Sequence, residues 1–147
     1  MPNLLILTWN PDIWNMDWVQ ESQRMIQGSS GSETWSVGNR RGGIVPGDRL
    51  LLLRQARDRG IIASGTATST VYEDPHWDDE RADTDTEWYV DVNWEKHVGI
   101  EDRLTIKKLQ EIAPDTHWTP FGSGTQVRES DASRVWQVWL SHHDDVG

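Results

Sequence analysis

This sequence of 147 residues contains no cysteine and no long apolar run. Without cysteine, the protein cannot form disulfides or a zinc ribbon, and it has no thiol nucleophile. No segment approaches the roughly 18 consecutive apolar residues of a membrane-spanning helix. The N-terminal segment also lacks the basic region of a signal peptide. We therefore expect one cytoplasmic domain that makes no contact with a membrane.

Positive charge is scarce as well, because 14 basic residues stand against 24 acidic ones, and the formal net charge is −10. This balance argues against strong non-specific binding to nucleic acid, which requires a basic surface. The charges are unevenly distributed, however: acid is concentrated in 73–87 and 144–145, and arginines cluster at 40–41 and 54–59. A local basic rim on an acidic protein can still face a phosphate backbone.

Signatures of catalysis are also missing from the sequence. The five histidines show neither the spacing of a helical zinc site nor an HNH or HExxH signature. There is no GxSxG nucleophile elbow, and the glycines at 42–43 and 122–124 lack the lysine of a phosphate-binding loop. We interpret His76 and its acidic neighbours as a solvated loop. The sequence therefore predicts a binding domain without a cofactor, a metal or catalytic residues.

The apolar periodicity predicts secondary structure along the whole chain. The predicted strands are 4–9, 33–37, 49–55, 61–72 and 87–98, and the predicted helices are 14–26, 103–112 and 130–140. The acidic segment 73–86 and the Gly/Ser-rich segments 28–32 and 119–125 are predicted to be loops. This order favours a mixed α+β domain. We expect a small curled or closed barrel of five to six strands with flanking helices.

Tryptophan is the most over-represented residue, with ten copies against one phenylalanine and two tyrosines. Six lie on predicted helices or alternating strands and are expected to pack in the interior: Trp14, Trp18, Trp88, Trp94, Trp136 and Trp139. Trp77 differs, because it stands between His76 and Asp78 in a polar loop without apolar neighbours. A large aromatic side chain in such a loop serves binding more often than packing. Trp9 and Trp118 are left open between core and pocket.

Five short motifs occur in a fixed order along the chain. They are WSVGN at 35–39, PGDRLLLLR at 46–54, RGIIASG at 59–65, VNW at 92–94 and WTPFGSG at 118–124. Together, over about residues 4–140, they resemble the PUA-like superfamily, and within it the EVE, YTH and SRA-like readers of modified bases. The resemblance is strongest to the N-terminal reader domains of HNH-type, modification-dependent restriction endonucleases.

This resemblance implies a PUA-like barrel with a pocket for one extruded nucleotide, caged by Trp35 and Trp77. The physics of base recognition agrees, because a flipped base loses its stacking and regains it only between flat apolar faces. Each base–aromatic stack contributes ~1–3 kcal/mol. Trp9 is the candidate for a third aromatic wall.

Hydrogen-bonding groups must complete such a pocket, because stacking alone does not identify a base. Asp12 follows the first strand and is the candidate acceptor for the exocyclic amine of cytosine. Ser36 and Asn39 flank Trp35 and offer further donors and acceptors. The candidates for phosphate or groove contacts are Arg40, Arg41, Arg54, Arg57, Arg59, Ser123 and Gly124.

The identity of the base is predicted from the resemblance. The restriction enzymes point to 5-methylcytosine in DNA, with a nuclease fused to the reader or acting beside it. The YTH resemblance points instead to N6-methyladenine in RNA. A third hypothesis is a protein-interaction module in which the acidic segment 73–87 binds a basic partner.

Overall fold

The structure, a computed structural model, describes residues 2–27, 33–38, 40–118 and 123–142. Over these ranges the strands are β1 (Leu4–Trp9), β2 (Glu33–Ser36), β3 (Arg49–Arg54), β4 (Gly60–Ala67), β5 (Tyr72–Pro75), β6 (Thr86–His97), β7 (Leu104–Thr105) and β8 (Thr125–Gln126). The helices are α1 (Trp18–Gln27), α2 (Ile106–Ile112) and α3 (Glu129–Ser141), and a 3-10 turn spans Ile100–Asp102. None of these helices is long and apolar enough to cross a membrane.

One curled mixed sheet forms a half-barrel and confirms the predicted α+β class with a curled sheet. Its order is β2-β6-β4-β3-β1-β8, with β5 also paired to β6 and β7 to β4. β1 and β3 are parallel, and the other pairs are antiparallel. The described sheet has eight strands rather than five or six, because the short strands β5, β7 and β8 extend it.

The curl of the sheet has a local cause in β4. The register shifts between Leu52 and Leu53 in the β3–β4 pair, and between Ser64 and Gly65 in the β4–β6 pair. Such bulges bend a strand and increase its twist. A Cβ atom at Gly65 would lie 2.3 Å from the carbonyl oxygen of Asn93, so only glycine allows this approach of β4 to β6.

Some predicted boundaries are displaced. The helix predicted over 14–26 begins at Trp18, and Trp14 lies in the turn before it. The strand predicted over 61–72 ends at Ala67. Part of the segment expected to be a loop returns to the sheet as β5, because it pairs with the first residues of β6. The predicted loop 28–32 and most of 119–125 lie outside the described residues.

Alternate residues of β1 and β3 point to opposite faces of the sheet and divide the interior into two apolar clusters. The α1-side core includes Leu5, Leu7, Leu50, Leu52, Trp9, Trp18, Trp35 and Trp94. The α3-side core includes Leu4, Ile6, Leu51, Leu53, Leu109, Trp118, Val135 and Trp139.

Most tryptophans lie in these two cores. Five of the six predicted to pack there are buried or half-buried, namely Trp18, Trp88, Trp94, Trp136 and Trp139. The prediction was wrong for Trp14, which is 45% exposed. The exception follows from the late start of α1, because a side chain in the preceding turn does not share the buried face of the helix.

Candidate functional site

A cavity of about 430 Å³ opens beside the α1-side core. Its size lies within the ~300–1,000 Å³ range of ligand pockets. Its walls come from β1 and the following turn, from β2 and the residues after it, from the loop after β3, from the β5–β6 connection, from the start of β6 and from residue 123. The lining residues are Thr8, Trp9, Asn10, Ile13, Trp14, Thr34, Trp35, Ser36, Gly38, Gln55, Trp77, Glu87, Tyr89 and Ser123.

The turn after β1 forms one wall and is held by hydrogen bonds. The backbone N–H groups of Ile13 and Trp14 donate to the carbonyl of Asn10, at 3.1 and 3.0 Å. The indole Nε1 of Trp9 donates to the carbonyl of Trp14 at 2.7 Å. These contacts keep two apolar side chains in solvent at the cavity mouth, with Ile13 68% and Trp14 45% exposed.

Trp35 forms a fixed inner wall. Its side chain is only 6% exposed, and its Nε1 donates to the carbonyl of Thr8 at 3.1 Å. The ring meets Trp94 edge-on at 5.6 Å between centroids, and Trp14 lies 5.3 Å away at a tilt of 44°. Trp35 is therefore held by its neighbours in one orientation, and Trp14 extends the aromatic surface toward solvent.

Trp77 provides a wall from the β5–β6 connection. It is 47% exposed, and its ring is backed by the imidazole of His76 at 5.0 Å. His76 is itself buried: its backbone N–H donates to the carbonyl of Asp85, and its Nδ1 accepts the backbone N–H of Asp78, both at 3.0 Å. An exposed indole is thus supported from behind by a fixed ring, although the sequence around it is polar.

The polar side chains of the cavity differ in how far their hydrogen-bonding capacity is already used. Ser36 Oγ accepts the backbone N–H of Gly38 at 3.2 Å, and Ser123 Oγ accepts that of Thr8 at 3.0 Å. Both hydroxyl groups keep a proton that can be donated into the cavity. These bonds also fix the loop ends that carry them.

Tyr89 and Glu87 are the ionisable residues of the cavity lining. The hydroxyl of Tyr89 donates to the carbonyl of Pro75 at 2.8 Å. Burial raises the pKa of Tyr89, and the nearby carboxylate of Glu87 raises it further. Tyr89 therefore stays neutral at physiological pH. Glu87 is the one formally charged side chain among the described residues of this lining.

Five of the predicted base and phosphate contacts line the cavity: Trp9, Trp35, Ser36, Trp77 and Ser123. Asn39 lies outside the described residues. Asp12 lies outside the cavity lining, and its carboxylate forms an ion pair with Arg57 at the surface. Gly124 donates its backbone N–H to the carbonyl of Ile6 at 2.8 Å, so that donor is already used within the fold.

Two of the predicted phosphate-binding arginines are held inside the fold. Arg54 is 6% exposed, lies 5.3 Å over the ring of Trp9, and donates to the carbonyl of Arg57 at 2.6 Å. Arg40 is half-buried and donates to the carbonyl of Gly124 at 3.1 Å. Both guanidinium groups brace loops at the cavity edge, because the Nη1 of each donates to a protein carbonyl.

The other three predicted arginines are exposed. Arg57 and Arg59 lie in the loop between β3 and β4, which adjoins the cavity through Gln55. The guanidinium of Arg41 lies 5.6 Å over the ring of Trp88. All three side chains are exposed, and the guanidinium of Arg57 is paired with the carboxylate of Asp12.

Several lining residues were not predicted from the sequence. Trp14 was assigned to the interior, although the preceding Asn10-Pro11 breaker is a signal that a turn extends to it. Gln55 and Glu87 gave no signal, because each reaches the cavity only through packing of segments that are distant along the chain.

No protein-family model matches the sequence, and no curated protein matches it. Solved structures do match along most of the chain. A hypothetical protein from Leishmania major has 13% identity and a TM-score of 0.64, covering 94% of both chains. The ASCH protein of Zymomonas mobilis has 11% identity and a TM-score of 0.57, covering 92% of this chain and 95% of the other.

A third similar structure is the complex of the YTH domain-containing protein mmi1 with RNA. It has 12% identity and a TM-score of 0.55, and the match covers 93% of this chain and 80% of the other. At such identities the likeness concerns the fold. The chain therefore has the PUA-like fold that ASCH and YTH domains share, which confirms the fold expected from the motif order.

Proposed function

We propose that this PUA-like domain binds DNA containing 5-methylcytosine and holds the extruded base in the 430 Å³ cavity. The observation that carries the proposal is the set of four indoles at one concave site, with Trp9 and Trp35 buried and Trp14 and Trp77 exposed. Trp35 is buried and fixed, while Trp14 and Trp77 expose 45% and 47% of their surface there. Exposed apolar surface around a concave site marks binding, and a flipped base supplies a flat ring that can cover it.

The walls are organised before binding. Trp35 is held by its bond to Thr8, Trp77 is backed by His76, and Trp14 belongs to a hydrogen-bonded turn. A site that needs little ordering retains more of its interaction energy. Each stack is worth ~1–3 kcal/mol, which helps offset the unstacking of the base.

The free energy that favours the methylated base over the unmethylated one is smaller than that of a stack. A 5-methyl group in an apolar niche contributes ~0.8 kcal/mol, which is about a fourfold difference in affinity. Apolar side chains at the cavity, such as Ile13 and Trp14, provide surface for such a niche. A binding assay must therefore resolve a difference of about fourfold.

Phosphate contacts are assigned to the exposed Arg41, Arg57 and Arg59, and Arg57 then exchanges its ion pair with Asp12 for one with phosphate. If all three contact phosphates, affinity falls about 40-fold between about 50 and 200 mM salt, following the slope of roughly −0.9 per contact. Arg54 and Arg40 are left out of this set because their guanidinium groups donate to protein carbonyls.

We further propose that the domain is the reader of a modification-dependent restriction system. Cleavage then belongs to an HNH nuclease outside these 147 residues, because the sequence contains no HNH signature. The runner-up function is the reading of N6-methyladenine in RNA. It is favoured by the similarity to a YTH domain solved with RNA.

The first test is a titration of matched DNA duplexes, with and without one 5-methylcytosine, at low salt. Trp77→Ala and Trp14→Ala are compared with Trp136→Ala, a half-buried tryptophan on α3. We expect about fourfold tighter binding to the methylated duplex. The cavity variants should weaken it about tenfold or more, and the α3 variant should leave it unchanged.

Other outcomes redirect the proposal. Binding of N6-methyladenine RNA without binding of methylated DNA would replace it with the runner-up function. Failure to bind any nucleic acid would overturn both. In that case the acidic segment 73–87 is left as a candidate surface for a basic partner.

A further inference from the structure

Glu87 places a carboxylate at the cavity. It lies at the start of β6, is half-buried, and its Oε1 accepts the backbone N–H of Trp88 at 3.1 Å. No ion pair or further hydrogen bond to its carboxylate occurs among the described residues. Neighbouring acids of the same segment are engaged, since Glu73 accepts from Thr86 and Asp85 pairs with Arg81.

An ionised carboxylate accepts hydrogen bonds and donates none. At this position it repels phosphate from the cavity and favours a ligand that presents an N–H group. Cytosine presents its exocyclic N4 amine, whereas thymine presents the O4 carbonyl at the same position. The ring N–H of thymine lies between two carbonyl oxygens, both of which a carboxylate would have to approach.

The aromatic walls alone do not distinguish 5-methylcytosine from thymine, whereas the carboxylate of Glu87 can. Thymine has the same ring size and the same 5-methyl group as 5-methylcytosine, so stacking and a methyl niche accept both. The two bases differ at the edge that carries the amine or the carbonyl. Asp12, which the sequence suggested for this contact, is paired with Arg57 outside the cavity lining.

We infer that Glu87 accepts a hydrogen bond from the exocyclic amine of the bound base and thereby excludes thymine. This inference rests on the proposed function and names its specificity-determining residue. A well-placed hydrogen bond to a base edge corresponds to discrimination of about tenfold or more.

The test uses single-stranded oligonucleotides that carry 5-methylcytosine, cytosine or thymine at one position. Single strands remove differences in the opening of base pairs. The wild type is compared with Glu87→Gln, whose amide can turn to donate to O4, and with Glu87→Ala. Glu111→Gln, an exposed substitution of the same kind on α2, is the control. Thermal unfolding verifies that each variant is folded.

We expect the wild type and the control to prefer 5-methylcytosine over thymine about tenfold or more. In Glu87→Gln this preference should fall to within about threefold, because thymine binds better. The amide N–H of the glutamine can donate to the O4 of thymine. In Glu87→Ala it should fall because 5-methylcytosine binds less well. The preference for 5-methylcytosine over cytosine should persist in Glu87→Gln, because it depends on the methyl group.

An unchanged preference in Glu87→Gln, or equal binding of both bases by the wild type, overturns the role of Glu87 and leaves the proposed function intact. Failure of the wild type to bind any of the oligonucleotides or the methylated duplex removes the proposed function and this inference together.

Discussion

The two faces of the sheet use tryptophan in different ways. On the α3 side, Trp118 and Trp139 are 2% and 0% exposed, and α2 and α3 cover the face. On the α1 side, Trp35 is buried, but the same aromatic group continues to Trp14 and Trp77 in solvent. The difference lies in the helical cover and not in the residue type. α1 packs against part of this face, but none of the described cavity-lining residues lies on a helix, so the indoles there border a cavity instead of a closed core.

The largest expected effect is on the closed face. Trp139→Ala should lower the free energy of unfolding by ~3–5 kcal/mol, because it leaves a cavity in a fully packed core. Chemical denaturation measures this loss. Trp139→Phe is the matched control and should cost less, because it keeps most of the ring. It removes an indole N–H that has no acceptor among the described residues. A loss below ~1 kcal/mol in Trp139→Ala would show that this face is not the tighter core.

On the open face, an apolar residue should matter for binding and not for stability. Ile13→Asp places a negative charge at the cavity mouth, where Ile13 is 68% exposed. Affinity for DNA should fall about tenfold through repulsion of phosphate, while the free energy of unfolding changes by less than ~0.5 kcal/mol. Val45→Asp, also at an exposed position, is the control and should change neither. Equal loss of affinity in both variants would indicate an effect of net charge alone.

A smaller effect is expected where the sheet holds the end of α3. Lys96 Nζ donates to the carbonyls of Trp139, Leu140 and His142 at 2.6, 3.3 and 2.7 Å. These carbonyls lie at the negative end of the helix dipole. Lys96→Met should therefore lower the free energy of unfolding by ~1–2 kcal/mol. The exposed Lys107→Met on α2 should change it little, and similar losses in the two variants would contradict a specific role of Lys96.

The smallest effect concerns pH. Burial lowers the pKa of His97 from its ordinary value of 6.5, so the unfolded chain binds a proton at higher pH than the folded protein does. The contribution of neutral His97 to stability is therefore complete above pH 6.5 and declines as the pH falls from 6.5 toward the folded pKa. The melting temperature should fall slightly as the pH is lowered from ~7.5 to ~5.5, an interval that lies above the pKa values of the carboxylates. His97→Gln should reduce the dependence of the melting temperature on pH. If that dependence is unchanged in the variant, it arises from other titratable groups.

Much of the fold could be predicted because its signals are local. β1 has the predicted bounds Leu4–Trp9, and the predicted strand 49–55 differs from β3 by one terminal residue. Alternating or continuous apolar residues identify such strands without knowledge of their partners. The short strands β7 and β8 were missed, because two-residue pairings depend on the neighbouring strand alone.

The sequence by itself determined the α+β class, the core strands and the choice of Trp77 as a binding residue, and the resemblance to PUA-like readers added Trp35; both line the cavity. An aromatic residue in a polar loop and a run of apolar residues are legible without three-dimensional contacts. Only the tertiary structure decided the charges of the site: it paired Asp12 with Arg57 and turned Glu87 into the cavity lining. The physical reason is distance along the chain. A charge acts on the groups packed beside it, and here those groups come from segments that only the folded sheet brings together.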